Sequence, residues 1–273
     1  MVDLDFKYKE LSKILEKEAP FKPDISLVLG SGLGDFADRL DKLKTISTTS
    51  LPGYPPSTIP GHEGKLHFCK YGNKNVLVFQ GRIHFYEGYN LSQCILPVFI
   101  TNKLGTKKIF LTNAAGGVNL DFSSGDLMLI TSFNGINIKK ELTDLIGITN
   151  INSKLNYFDF PTKSFNDIIR TAAKNKNLSL KEGVYWYNKG PTYETPAEIK
   201  MTGLLGGDAV GMSTVHEAVF AAQLGMETAS VSLITNMAAG ISKNKISHKE
   251  VTETANMVKV KFESLVKEIL ELI

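Results

Sequence analysis

Short apolar runs alternate with stretches of helical periodicity along the chain, and this exchange constrains the fold more than any other feature. Leu27-Val28-Leu29, KKIFLTN at 107–113, GDLMLITS at 125–132, EGVYWY at 182–187, DAVGM at 208–212 and METASVSLITN at 226–236 read as strands. Between them, LSQCILPVFITNKLG at 91–105, SFNDIIRTAAKN at 164–175, PAEIKMTGLLGG at 196–207 and STVHEAVFAAQLG at 213–225 read as helices. A strand that leaves through a helix re-enters its sheet parallel to where it began. The pattern therefore predicts an α/β protein whose sheet is parallel wherever a helix makes the crossover. One exception is expected, a hairpin in which GKLHFCKY and NVLVFQGR flank Gly72-Asn73-Lys74. An amphipathic helix over 4–18, with Tyr8, Leu11 and Leu15 on one face and Pro20 beyond it, opens the chain, and a long helix over 248–271 closes it. No repeat, low-complexity tract or linker divides residues 1–273, and 51–61 reads as an ordered loop, so one domain is expected.

Composition narrows the function classes. A chain of 273 residues with 42% hydrophobic content can bury a sizeable core without staples. Its net charge of +3 comes from Lys and Arg interleaved with acids, which predicts no nucleic-acid partner and makes any anion preference local. Cys69 and Cys94 form no CxxC and no disulfide framework, as in a reducing compartment. No apolar run approaches the ~18 residues of a membrane span and the first residues lack an apolar signal core, so a cytoplasmic location without a membrane partner is expected. Among His62, His67, His84, His216 and His248 no paired ligand spacing occurs, although His216-Glu217 begins like HExxH; no metal is expected.

Several positions carry candidate chemistry. Gly30-Ser31-Gly32-Leu33-Gly34 after the first strand suits a tight turn, an anion cradle or a nucleotide loop, though it is not GxGxxG and no acid-tipped second strand follows at dinucleotide spacing. A second small-residue loop is expected at Ala114-Ala115-Gly116-Gly117. If 82–86 continues the strand that begins at Val76, period two puts Arg82, His84 and Tyr86 on one face, with Glu87 able to orient the imidazole. Arg suits bidentate contact with phosphate, and His can share a proton with it; a polar outer face of an edge strand is the bland alternative. Ser213 or Thr214 reads as a helix N-cap, with Thr214 and Glu217 at capping-box spacing, and the same helix start could seat a phosphate. Glu194 lies in a Pro-bounded loop and Asn236 at the carboxyl end of a strand, where α/β sheets place ligands.

Seven segments in register, LVLGSGLG, PGHEGK, GRIHFYEGY, LTNAAGG, GPTYETPAEI, DAVGMSTVHE and SLITN, closely resemble the trimeric purine nucleoside phosphorylase family from about residue 24 to the final helix. The resemblance implies a single-domain nucleoside phosphorylase fold, a central mixed sheet partly closed into a barrel and flanked by helices, and a homotrimer with sites near subunit interfaces. It implies a phosphate shell of Ser31, His62, Arg82, His84, the Ala114 N–H and Ser213. Tyr86, Met212 and His248 are the implied ribose contacts, with His248 reaching the 5′-hydroxyl. Phe158, Tyr193, Glu194 and Asn236 are the implied base pocket, Phe158 coming from the adjoining subunit with Phe160 as the substitute. Thr131-Ser132-Phe133-Asn134 departs from an Asp-His pair common in relatives.

The implied reaction is phosphorolysis of a purine nucleoside, with inorganic phosphate as co-substrate and no cofactor. His84, Glu194 and Asn236 are the implied catalytic residues. Glu194 would accept the N1–H of a 6-oxopurine, and Asn236 would donate to N7 as the base leaves. This predicts inosine and guanosine, deoxy forms included, over adenosine. The alternative, a methylthioadenosine phosphorylase, would show an acid in place of Asn236 and no glutamate matching Glu194.

Overall fold

The computed structural model describes residues 2–147, 151–242 and 248–273, and at 151, 152, 158 and 248–251 it describes the backbone alone. Among the described residues nine strands share one sheet: Ile25–Leu29 (β1), Asp41–Ser47 (β2), Lys65–Tyr71 (β3), Lys74–Gln80 (β4), Lys108–Gly117 (β5), Leu127–Asn134 (β6), Leu180–Tyr187 (β7), Ala209–Gly211 (β8) and Glu227–Met237 (β9). Their order is β2-β3-β4-β1-β5-β8-β7-β6-β9. β9 runs antiparallel to β6 and parallel to β5, from Lys108 opposite Glu227 to Gly117 opposite Met237. Five strands, β5-β8-β7-β6-β9, thus return on themselves as a barrel, and β1 joins it to the β2-β3-β4 extension. The sheet is mixed: β1 is parallel to β4 and β5, whereas β3 and β4 form the expected antiparallel hairpin.

The strands nearest the site are apolar on both faces because helices cover both. In β1, Ile25, Leu27 and Leu29 enter one core with Phe165, Ile169, Phe262 and Leu265 from the helices Lys163–Asn175 and His248–Leu272. Val28 faces the opposite core, with Leu11, Leu15, Ile95 and Ala218. β4 alternates likewise, Val76 and Val78 on the first side, Leu77 and Phe79 on the second. Each such side chain, fully buried, contributes ~1.5–3 kcal/mol. The period-two pattern thereby fixes the register of the strands that deliver the site residues.

Several local expectations are corrected. The first helix is broken at Tyr8 into Leu4–Lys7 and Lys9–Glu18, with Tyr8, Leu11 and Leu15 buried as expected. A 3₁₀ turn, Gly34–Arg39, follows the glycine loop. Ala114-Ala115-Gly116-Gly117 is no loop: it is the last four of the ten residues of β5, kept extended by pairing with β9 and β8. β4 stops at Gln80, and Gly81, with φ +106°, turns the chain before Arg82. Strand β2 and the helix Lys139–Ile146 were not foreseen.

Two irregularities open the sheet where the site lies. β1 accompanies β5 only to Leu111, and β8 takes up that edge at Gly116, so residues 112–115 have no strand beside them there. On the other edge Ala115 pairs with Ile234 and Gly116 with Asn236, which leaves Thr235 as a bulge residue. A bulge bends its strand and re-aims the neighbouring side chains.

Candidate active site

At this opening lies a cavity of about 230 Å³ that is open to solvent at its mouth. Its walls include Ser31, Arg82, His84, Tyr86, Ala114, Tyr193, Glu194, Met212, Ser213 and Asn236, ten of the residues expected from sequence. Arg82, His84 and Tyr86 converge although they are not on a strand; Phe85–Glu87 is a 3₁₀ turn that His84 precedes.

Part of the cavity wall is rich in N–H and hydroxyl donors. Arg82 is buried, and its Nε donates to both carboxylate oxygens of Glu217, at 3.0 and 3.3 Å. Its Nη1 donates to the Thr112 carbonyl, and Nη2 has no protein partner. His62 does not line the cavity but stands behind it, with Nε2 3.1 Å from Ser31 Oγ and Nδ1 2.8 Å from the Arg82 carbonyl oxygen. The rings of His62, His84 and Tyr86 stack in sequence at 5.0 and 4.8 Å. Burial pushes the His62 imidazole down to about 3, and neighbouring His84 adds to the effect. Burial also lowers His84, against the raising influence of the Glu87 carboxylate. A neutral His84 that donates from Nδ1 to Glu87, 3.0 Å away, presents Nε2 as a lone pair.

Ser213 and Thr214 depart from the helix-cap reading. Thr214 precedes the helix Val215–Gln223 with φ +70°, and its side chain makes no capping bond. Its hydroxyl instead accepts from Asn113 Nδ2 at 2.9 Å and lies 3.0 Å from Ser213 Oγ. A left-handed threonine is costly, and the bonds on both sides hold it there. Glu217, expected to complete a capping box, is drawn to Arg82.

Glu194 and Asn236 add a carboxylate and an amide to the same wall. Glu194 Oε1 accepts from Asn188 Nδ2 at 2.9 Å, and Asn188 Oδ1 accepts from Asn137 Nδ2 at 2.8 Å, a chain that fixes which way the Asn188 amide faces. Asn236 Oδ1 accepts from the Thr235 hydroxyl at 2.9 Å, and Nδ2 donates to the Met237 carbonyl at 3.1 Å, leaving a second amide hydrogen for a ligand. Asn113 and Thr235 also line the cavity and were missed; each is a polar residue near the carboxyl end of an apolar strand, the signal that had picked out Asn236.

The side chains of Phe158 and His248 lie outside the described residues. Phe160 stacks on Phe133 at 5.3 Å and is not part of the cavity wall. The divergent stretch 131–134 ends β6, where Phe133 packs on Phe160 and edge-on to Tyr185. Among the described residues no group of three or more His, Cys, Asp or Glu could hold a metal ion, and no helix is long and apolar enough to cross a membrane.

Fold and cavity together define an α/β protein in which a partly closed barrel presents N–H and hydroxyl donors beside a carboxylate and an amide. The chain belongs to the phosphorylase superfamily, whose family model matches residues 24–271, and within it to the purine nucleoside phosphorylases. It is 41% identical to purine nucleoside phosphorylase 1 of Geobacillus stearothermophilus over 265 residues, covering 96% of each chain. It is 38% identical to purine nucleoside phosphorylase 1 of Bacillus subtilis, with 97% of each covered. The crystal structure of Schistosoma mansoni purine nucleoside phosphorylase in complex with inosine superposes with a TM-score of 0.86 at 30% identity, covering 99% of this chain and 98% of that one.

Proposed function

We propose that this protein catalyses the reversible phosphorolysis of 6-oxopurine ribo- and deoxyribonucleosides to the free base and the pentose 1-phosphate. What carries the reading is one cavity that joins Ser31, Arg82, His84 and Ser213 to Glu194 and Asn236. Orthophosphate is the co-substrate and no cofactor takes part.

In this mechanism the oxyanion lies against Arg82, the Ser31 and Ser213 hydroxyls and the backbone at Ala114, with His62 supporting Ser31 from behind. The Nε2 lone pair of His84 receives a hydrogen phosphate O–H, while Arg82 and the hydroxyls donate to the remaining oxygens. Bond breaking at the anomeric carbon runs ahead of phosphate attack, and the anion sits where the sugar becomes positive. Preorganised donors of this kind are each worth ~10²–10³ in rate. Tyr86 and Met212 flank the sugar, and His248 is assigned to the 5′-hydroxyl.

At the base, Glu194 accepts the N1–H of hypoxanthine or guanine. Adenine brings a lone pair to the same place, and a buried polar mismatch discriminates by roughly 10⁴ or more. The Asn236 amide donates to N7 as charge gathers there, while Tyr193 closes the pocket. On this reading the assembly is a homotrimer and its compartment the cytoplasm. Asn236 and Glu194 both speak against a methylthioadenosine phosphorylase.

The test is hypoxanthine release from inosine with and without orthophosphate, beside adenosine and methylthioadenosine. Strict phosphate dependence with inosine preferred is expected. Turnover without phosphate would make the protein a hydrolase, and adenosine preference would overturn the base pocket. Light scattering that gives a monomer would remove the trimer.

A further inference from the structure

We infer that Glu217 is a positioning residue for the phosphate site: it clamps Arg82 so that a single edge of the guanidinium, Nη2, is left for the oxyanion. The inference rests on the phosphorylase reading, and its substance is geometric. Both Glu217 oxygens lie within 3.3 Å of Arg82 Nε, with the side chains 1% and 0% exposed. Thr112 takes Nη1 through its carbonyl, and Nη2 is the one guanidinium nitrogen without a protein partner. A buried cationic N–H with no acceptor is costly, and an oxyanion in the cavity that Arg82 lines would supply that acceptor.

The ordinary role of a glutamate at the third position of a helix is absent here. Thr214 makes no side-chain cap, and the carboxylate faces Arg82, which is 135 positions away in sequence. Gly30 completes the clamp. A Cβ there would come within 2.7 Å of the Thr112 carbonyl oxygen and 3.1 Å of Arg82 Nη1, so the first glycine of GSGLG clears space for the guanidinium. The pairing also cancels the arginine's charge. The cradle then holds its anion by directed N–H and O–H groups more than by net charge, and the angle of Arg82 matters more than its presence.

The experiment measures orthophosphate binding by calorimetry on the full-length protein, and KM for phosphate and for inosine separately. Glu217→Gln keeps the shape and removes the charge; Glu217→Asp keeps the charge and withdraws it by one methylene. Either is expected to weaken phosphate on the order of tenfold, the worth of one charge-assisted hydrogen bond, with inosine KM changed less than about threefold. In an Arg82→Ala background the same substitutions should add less than about twofold, since Glu217 acts through Arg82. A merely structural role would move both KM values together. Unchanged phosphate affinity in either folded variant, or a full additional loss without Arg82, overturns the inference. Should Glu217→Gln not fold, Glu217→Asp is read by the same criteria. Phosphate-independent turnover by the unaltered protein would defeat the proposed function instead, a result the calorimetric arm keeps separate.

Discussion

Glu87 accepts from His84 twice on one oxygen, from the backbone N–H at 2.7 Å and from ring Nδ1 at 3.0 Å. Its other oxygen takes the Thr58 backbone N–H at 2.6 Å and the Thr58 hydroxyl at 2.8 Å, which ties the loop before β3 to the site. Burial opposes ionisation of this carboxyl, yet the bonds from His84 and Thr58 prevail and hold it down to about 2. Glu87→Ala should cost ~2–4 kcal/mol in urea unfolding, because several donors lose a charged acceptor at once. Phosphate KM should rise as His84 loses its orientation. Stability within 0.5 kcal/mol of the unaltered protein, a surface-like value, would refute this.

Acid should destabilise the protein through its buried histidines. Burial, aided by the positive Arg82, pushes His216 down to about 3, and neither ring nitrogen has a partner. His62 lies equally low, and burial also lowers His67 and His84. The unfolded chain binds protons at these rings near pH 6.5 while the folded one does not, so stability is complete above that pH and falls below it. Glu87 adds to the loss from about pH 4.5 toward 2. His216→Leu should narrow the gap in unfolding free energy between pH 7.5 and 5 by on the order of 2 kcal/mol. An unaltered gap would show that His216 is protonated in the folded protein.

Gly30→Ala tests the space beside Arg82. The new Cβ would press on Asn113 Cα and the Thr112 carbonyl, both backbone and both at 2.7 Å, so neither can simply rotate away. A loss of ~1–3 kcal/mol is expected by thermal melting, with phosphate affinity reduced beyond that of nucleoside. Unchanged melting and phosphate affinity would mean that the strand ends shift freely.

Asn236→Asp replaces a donor with a carboxyl beside the Met237 carbonyl, where the amide now donates at 3.1 Å. Inosine turnover should fall ~100-fold for the lost donor, and the adenosine-to-inosine ratio of kcat/KM should rise. An unchanged ratio removes Asn236 from base selection.

Much of this architecture was legible because it is locally encoded. β1 and β4 alternate between two cores as period two requires, and the Gly72 hairpin closes as its turn residues imply. β2 escaped notice because its side chains are largely exposed and it pairs only with β3, so no apolar run marks it. At the site, Arg82, His84 and Tyr86 were grouped through a strand that ends two residues earlier; the residues do converge, by way of a turn. Glu217 was read as a cap because capping is written three residues apart, whereas its partnership with Arg82 exists only after the two cores have assembled. Asn113 and Thr235 escaped for a related reason, a polar residue inside an apolar run giving no spacing to match.

The joining of β9 to both β5 and β6 has a consequence for synthesis. Asn236 and Thr235 sit on the last strand of the sheet, and that strand supplies the final stave between β5 and β6. A nascent polypeptide halted on the ribosome before residue 227 lacks a wall of the substrate chamber, so nucleoside recognition emerges late in translation, after every other strand has left the exit tunnel.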